Sequence, residues 1–569
     1  MVSMGTISPS LYHTSGTQKL HINKVSRGTT TVFCSPDHHD LIQIPKNLSS
    51  GLNLSAKNGK FSGIIEKESV FLNSQSSSKM QDGLGIIEFF SEKKLLITGA
   101  TGFLAKVLVE KILRTMPEVG KIFLLIKAKN EEAADERLMN EIINTELFKC
   151  LRQKHGTFYE RFMLSKLVPV AGNMCETNIG MEENVANLIA REVDVIINSA
   201  ATTAFDERFD LALDLNTRGA AGIVNFAKKC EKVKLYVHLS TAYATRESEG
   251  KIVEESFGKG HYIASSADIY EAQHKHVHGL DIEAEIKLAF EMKESFKEKE
   301  NESDQKLKDL GMNRAQKYGW ANTYSFTKAM GEMVVEDTKG HLPVIIIRPS
   351  VIESTLKEPF PGWIEGNRML DPFFLLYGKG KLPGFYINPN MAVDVVPADI
   401  VVNSILAAIA KHGREESRSL DDANSSSDDH VYQITSSFAN PLIARDLADM
   451  VYQHFSSSPC FDNEEKSIHV SPFKLFTSLE DMLSAIVNTG GKKLIRRRAV
   501  EHFKYMADLY QHYSFFGGRF DNNKAEKLIK CMSKEERKEF GLDVGSIDWK
   551  DYFISVHFPG IRKHVMKEN

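Results

Sequence analysis

Residues 94–126 constrain what this chain can fold into more than any other stretch. Lys94-Leu95-Leu96-Ile97-Thr98 is a short apolar run that ends at a glycine turn, and it reads as a buried strand. The turn is Gly99-Ala100-Thr101-Gly102-Phe103-Leu104-Ala105-Lys106. Phe103, Leu104, Val107, Leu108, Ile112 and Leu113 then recur at helical spacing until Pro117 and Gly120 stop the helix. Ile122-Phe123-Leu124-Leu125-Ile126 is a second buried strand. Strand, glycine turn, helix and strand form the context that a dinucleotide-binding turn requires. Gly99 permits the tight turn and Gly102 lets the backbone approach a pyrophosphate, whose charge rests on the free N–H groups of the helix N-terminus. Ala105 stands where a third glycine is common. Glycine alone is weak evidence, because many strand-to-helix turns carry it for conformational reasons only; the flanking elements strengthen it. The candidate cofactor contacts here are Gly99, Thr101, Gly102, Phe103 and Leu104.

The second strand runs into Lys127-Ala128-Lys129. An acidic residue there would hold the ribose 2′-hydroxyl of NAD, whereas two cations suit the 2′-phosphate of NADPH. Ordinary solvated lysines are the plainer alternative. NADPH is therefore the expected cofactor, with Lys127 among its contacts. Further apolar runs at 167–171, 193–198, 235–239 and 344–347 alternate with helical stretches, and 431–434 resumes a strand. That alternation predicts an α/β fold, a Rossmann-type doubly wound parallel sheet, followed by a smaller, mainly helical C-terminal domain. Ligands bind at the carboxyl ends of such strands. This places Asn173, Ser199-Ala200-Ala201 and Ser240-Thr241 at the binding edge, although each alone is ordinary loop chemistry.

Tyr324 and Lys328 lie four residues apart in Asn322-Thr323-Tyr324-Ser325-Phe326-Thr327-Lys328, so on a helix they share a face. A free tyrosine, with a pKa of about 10, is a poor acid at neutral pH. A neighbouring ammonium stabilises phenolate and lowers that value. Lys328 is expected to do this while holding a nicotinamide ribose, leaving Tyr324 to protonate an oxygen as hydride reaches its carbon. Thr241 or Ser240 would hold the same oxygen. Taken alone, this spacing usually marks a surface helix pair; behind a dinucleotide turn and a late-strand hydroxyl it reads as catalytic.

Composition bounds the remaining possibilities. With 569 residues the chain is long enough for two or more domains. A net charge of -4 gives no sign of nucleic-acid binding. Six cysteines without a CxxC pair argue against a disulfide scaffold or a cysteine zinc site, and no metal ligands are assigned. No run reaches the roughly 18 apolar residues of a membrane span, which leaves at most peripheral membrane contact. Residues 1–60 carry Lys19, Lys24, Arg27, Lys46, Lys57 and Lys60 against only Asp37 and Asp40, with frequent Ser and Thr. Such a leader reads as an organellar transit peptide, or else as a disordered terminus. Composition does not separate plastid from mitochondrion. The expected organisation is a leader over 1–80, a reductase domain over 81–455 and a C-terminal module over 456–569. Within the reductase domain, 250–318 is a charged helical insertion and 411–430 a flexible loop.

The glycine turn, Ser240-Thr241 and the Tyr324/Lys328 pair resemble the extended short-chain dehydrogenase/reductase superfamily. Within it the chain is similar to alcohol-forming fatty acyl-CoA and acyl carrier protein reductases of the plant male-sterility type. The similar segments include 97–106, 198–205, 238–243, 318–332, Ile347-Arg348-Pro349-Ser350, Phe515-Phe516-Gly517-Gly518-Arg519-Phe520-Asp521 and Asp548-Trp549-Lys550-Asp551-Tyr552. The resemblance implies reduction of a long-chain acyl thioester to a primary alcohol with two NADPH, through an aldehyde. Tyr324 would be the proton donor, Lys328 its activator and Thr241 the likelier of the two hydroxyls to hold the oxygen. Asn173 stands where an aspartate is frequent and is a candidate adenine contact; Ala244-Thr245-Arg246 replaces an Asn-Gly ending. The resemblance also favours a plastid for the leader, and hence acyl carrier protein as thioester donor. That acidic protein could dock on Lys492-Lys493-Leu494-Ile495-Arg496-Arg497-Arg498, although a solvated helix face is the plainer reading. The residues leave two other uses open: an extended dehydrogenase acting on a sugar nucleotide or steroid, and a non-catalytic NADPH-binding scaffold.

Overall fold

Every apolar run singled out in the sequence becomes a strand of one sheet. The computed structural model describes residues 83–246, 249–257, 279–296, 300–414, 430–488 and 493–568. The basic leader lies outside these residues, as do 258–278 of the expected insertion and 415–429 of the expected loop. The strands that frame the site are β1 (Leu95–Thr98), β2 (Ile122–Ile126), β3 (Leu167–Ala171), β4 (Val195–Asn198), β5 (Leu235–Leu239), β6 (Val344–Pro349), β7 (Val351–Glu353) and β8 (Val431–Ile434); shorter strands elsewhere form two-stranded pairs. All but β7 join in the order β8-β6-β5-β4-β1-β2-β3, each pair parallel. The chain leaves β1 in one direction through β2 and β3, then returns to β4 on its other side. This reversal opens a crevice between the carboxyl ends of β1 and β4, where ligands of doubly wound sheets bind.

Both faces of the sheet are covered, so its strands are almost wholly apolar rather than alternating. Successive residues point to opposite faces. Ile97, Ile345 and Ile347 share one core with Phe103 and Leu108 of helix α1 (Phe103–Thr115). Leu96, Ile196 and Ile346 share another with Ile223 and Val224. Helix α2 (Glu131–Leu138) follows β2, and α3 (Thr323–Thr338) precedes β6. Helix α4 (Asp371–Gly378) lies beyond β7, α5 (Ala398–Arg414) leads toward β8, and α6 (Lys493–Ser514) belongs to the C-terminal segment. The loop expected from 411 therefore begins as the last turn of α5.

Two departures from expectation concern packing. The C-terminal segment, whose aromatic content suggests a core of its own, shares that of the sheet: Leu528, Phe540, Phe553, Phe558 and Ile561 join the α1 side. On α6, Phe503, Met506 and Tyr510 pack with Phe205, Phe373 and Phe385 from earlier in the chain. The described helices of the insertion, Ile282–Ser295 and Glu300–Lys317, also carry an inward face. Ala289 and Ala315 pack with Phe326 and Met330 of α3, so these helices buttress α3 as well as facing water.

Candidate active site

Thr98, the last residue of β1, ties the two sides of the crevice together. Its hydroxyl donates to Asn198 Oδ1 at 2.6 Å and accepts from the Ala200 N–H at 3.1 Å. Gly99 follows with φ +68°, and a Cβ there would meet Ala200 backbone atoms at 2.8 Å, so both conformation and space require glycine. Gly102 then starts α1, whose N-terminus has no side-chain cap. Its first N–H groups lack intrahelical acceptors and face the turn, a cradle suited to a pyrophosphate. The expected Gly99, Thr101, Gly102 and Ala200 thus lie together. The Phe103 side chain does not join them: it is fully buried and stacks on Trp363 at 5.2 Å, leaving only its backbone toward a cofactor. Leu104, one residue on, lines the cavity described below.

The end of β2 holds a residue that sequence reading passed over. Arg137 on α2 donates to the Lys127 carbonyl at 2.8 Å and to Thr101 Oγ1 at 3.3 Å, while pairing with Glu141. A guanidinium therefore stands between the glycine turn and the exposed Lys127 and Lys129. Its signal was masked by sitting in an acidic helix, Glu131-Glu132-Ala133-Ala134-Asp135-Glu136-Arg137. Asn173 shapes its own loop, donating to Glu176 at 2.6 Å and accepting from the Cys175 N–H at 3.3 Å.

The second cluster gathers at the ends of β5 and β6. Asn322 caps α3 by accepting from the Ser325 N–H at 2.9 Å. Further along α3 Lys328 is buried, and its Nζ donates to the Leu239 carbonyl at 2.5 Å. Thr241 Oγ1 accepts from the Tyr243 N–H at 3.3 Å and hydrogen-bonds Tyr324. Ser240 Oγ is buried and finds no hydrogen-bond partner among the described residues. Asn216 bonds both Thr202 and Thr327, fastening the loop after β4 to α3. Underneath, Arg348 of β6 holds Glu332 of α3 through a two-pronged buried pair at 2.6–3.1 Å, which fixes the height of the helix over the sheet.

Leu104, Ser199, Ser240, Thr241, Tyr324 and Lys328 open on one cavity that reaches solvent. Tyr513 of α6 also lines it, a contribution the sequence reading did not foresee. Its hydroxyl accepts from Asn322 Nδ2 at 2.7 Å, and its ring stacks on Phe205 at 4.7 Å. The only sequence signal was its position just before Phe515-Phe516-Gly517-Gly518. Tyr243, Val351, Met369 and Tyr513 are shared with a second, mainly apolar cavity walled by Phe373, Phe385, Leu447 and Val451.

Electrostatics here differ from expectation. Burial pushes the Tyr324 phenol above its ordinary value, the neighbouring Tyr513 adds to this, and only the Thr241 hydrogen bond opposes it. Lys328, whose Nζ donates to the Leu239 carbonyl, is not among the groups that offset the burial. Burial lowers Lys328 itself to about 8, partly countered by Glu332.

The chain as a whole is similar to known proteins. A family profile described as "Male sterility protein", of the NAD-binding type, matches residues 97–405, and a second of the same description matches 479–568. "Fatty acyl-CoA reductase 2, chloroplastic" of Arabidopsis thaliana is 51% identical over 507 residues, covering 86% of this chain and 80% of that protein. "Alcohol-forming fatty acyl-CoA reductase" of Simmondsia chinensis is 37% identical, covering 86% of this chain and all (100%) of its own. Among solved structures, the terminal R domain of the myxalamid biosynthetic pathway superposes with a TM-score of 0.52 at 15% identity, over 84% of this chain and 92% of that one, a likeness of fold.

Proposed function

The chain belongs to the male sterility family that includes plant fatty acyl-CoA reductases, a family of nicotinamide-dependent oxidoreductases; on that premise we propose that it reduces long-chain acyl thioesters to primary alcohols with NADPH. One observation carries the reading. The cavity holding Tyr324, Lys328 and Thr241 borders the apolar cavity along Tyr243, Val351, Met369 and Tyr513, so a reacting carbonyl and a long acyl tail have adjoining places.

The residues fit NADPH. Gly99 and the uncapped start of α1 offer a pyrophosphate cradle, and Arg137 with Lys127 offers positive charge for a 2′-phosphate. NADPH, when bound, supplies hydride to the carbonyl carbon. Tyr324 delivers a proton to the carbonyl oxygen as negative charge develops there, and Thr241 holds that oxygen by hydrogen bonding. Lys328, held by the Leu239 carbonyl, would anchor the ribose hydroxyls. The resulting hemithioacetal releases thiol and leaves an aldehyde in the same cavity. A second round, with Tyr324 reprotonated, gives the alcohol.

The basic, acid-poor leader and the chloroplastic relative support a plastid location, and with it an acyl carrier protein thioester as donor. The basic run opens α6, where Arg497 is exposed and paired with Glu501, which leaves Arg498 the clearer contact for an acidic carrier; Lys492 and the side chains of 493–496 lie outside the description. The test is product analysis with the purified chain, NADPH, and palmitoyl thioester on acyl carrier protein or coenzyme A. Hexadecanol with NADPH loss is expected, faster from the carrier protein. Loss of NADPH with accumulation of hexadecanal alone would limit the activity to one hydride, and no NADPH loss with either thioester would refute the assignment.

A further inference from the structure

Three side chains from distant parts of the sequence meet in the interior behind the cavity wall. Glu353 ends β7, Asp371 opens α4, and His557 comes from the helical turn Tyr552–His557 near the C-terminus. All three are fully buried at 0% exposure. One ligating atom from each lies within 4.8 Å of the others. Among the described residues, four of their polar atoms find no hydrogen-bond partner: both carboxylate oxygens of Glu353, Asp371 Oδ1 and His557 Nε2. Buried polar groups rarely go unsatisfied, and four in one cluster require an explanation.

The hydrogen bonds around His557 decide which nitrogen carries its proton. Tyr552 donates its hydroxyl hydrogen to the Ser354 carbonyl at 2.8 Å. The contact between Ser354 Oγ and the Tyr552 oxygen at 3.2 Å is then donated by serine. With its hydrogen spent, Ser354 Oγ accepts from His557 Nδ1 at 3.0 Å, so Nδ1 holds the proton. In the neutral ring Nε2 therefore presents a lone pair to two carboxylates. It lies 3.1 Å from Asp371 Oδ1 and 3.8 Å from Glu353 Oε2, yet neither contact is a hydrogen bond. Three electron-rich atoms converging on one buried point repel unless something positive sits among them.

We propose that Glu353, Asp371 and His557 form a structural site for a divalent cation of the zinc class. Imidazole nitrogen with carboxylate oxygen is a donor set such ions take. Bonds of about 2.0–2.2 Å in a tetrahedron put neighbouring ligand atoms roughly 3.4 Å apart, which the observed 3.1 and 3.8 Å bracket. Two carboxylates and a neutral imidazole carry the charge that a divalent ion cancels. The Ser354 contact is the outer support that metal-bound histidines characteristically have, fixing the tautomer and the ring orientation. The cation would fasten three elements. Val351 and Ile352, just before Glu353, and Met369, just before α4, line the active-site cavity, while His557 brings in the C-terminal segment. The site is absent from any sequence spacing because its ligands are scattered over some two hundred residues.

The test is elemental analysis of the full chain purified without metal-affinity resin, alongside His557→Gln, Glu353→Gln, Ser354→Ala and, as a control at a distant site, Arg137→Ala. Near-stoichiometric Zn²⁺ is expected in the parent and in Arg137→Ala, with most of it lost from the two ligand variants. Ser354→Ala should weaken affinity by roughly 10- to 100-fold. Adding ZnCl₂ to chelator-treated parent protein should raise its melting temperature and release protons. A parent chain with no stoichiometric metal, and no response of its melting temperature to Zn²⁺ or Mn²⁺, overturns the proposal and assigns the cluster to shared protons instead. That result does not depend on any variant folding, and it leaves the reductase assignment untouched.

Discussion

Burial acts on the two residues at the heart of the cavity in opposite directions. It keeps the Tyr324 phenol protonated, as a proton donor must be, and it lowers Lys328 to about 8. A lysine that holds its proton less firmly when folded penalises the native state below that value. The penalty fades as pH rises from about 8 toward the free-lysine value of about 10.4. Lys328→Met should therefore be more stable than the parent at pH 7, by at most about 3 kcal/mol before the lost Leu239 hydrogen bond is subtracted. The difference between the two should shrink through pH 8–10; denaturant unfolding across that range measures it, and a constant difference would contradict the assigned protonation. Arg137 tests the cofactor reading at the same scale. Arg137→Ala should raise KM for NADPH by roughly tenfold or more, as expected when a charge-assisted contact is lost, and leave KM for NADH nearly unchanged. Equal effects on both cofactors would remove Arg137 from the 2′-phosphate and make it a support for the loop alone.

At the level of elements, α3 is placed by its cap, by Asn216 and by the buried Glu332–Arg348 pair. Removing one partner of such a pair leaves a charge uncompensated in the interior. Glu332→Gln should cost about 3–5 kcal/mol, whereas Glu332→Leu combined with Arg348→Met should recover much of it. Thermal unfolding of the two variants beside the parent separates the pair's role in placement from its charge. The elements themselves were legible in the sequence. Long apolar runs covered on both faces leave few readings other than parallel strands, and Gly99 was readable because its φ and its contact with Ala200 exclude a side chain. The Tyr324/Lys328 face followed from helical spacing. What the sequence hid was direction. Phe103 and Leu104 are adjacent in a predicted contact segment, yet one side chain turns into the core against Trp363 and the other into the cavity. Arg137 looked like any charge on a polar helix until its reach to Lys127 and Thr101 was visible.

Across the whole molecule, the C-terminal segment completes the reductase and does not merely accompany it. Tyr513 meets Asn322, Ser325 and Phe205 at the cavity, and Phe553 and Phe558 enter the core beside α1. Local patterns could not show this, because contacts between residues hundreds of positions apart leave no periodic trace. The same limit concealed the Glu353, Asp371 and His557 cluster. The account as a whole rests on Tyr324 serving hydride transfer to an acyl carbon, and isotopic labelling tests that most directly. Palmitoyl thioester reduced with NADPH carrying deuterium at the transferred position should give hexadecanol with two deuterons on C1, and Tyr324→Phe should make it at least roughly 100-fold more slowly while still binding NADPH. Alcohol without deuterium at C1, or undiminished turnover by the Tyr324→Phe chain, would contradict the account.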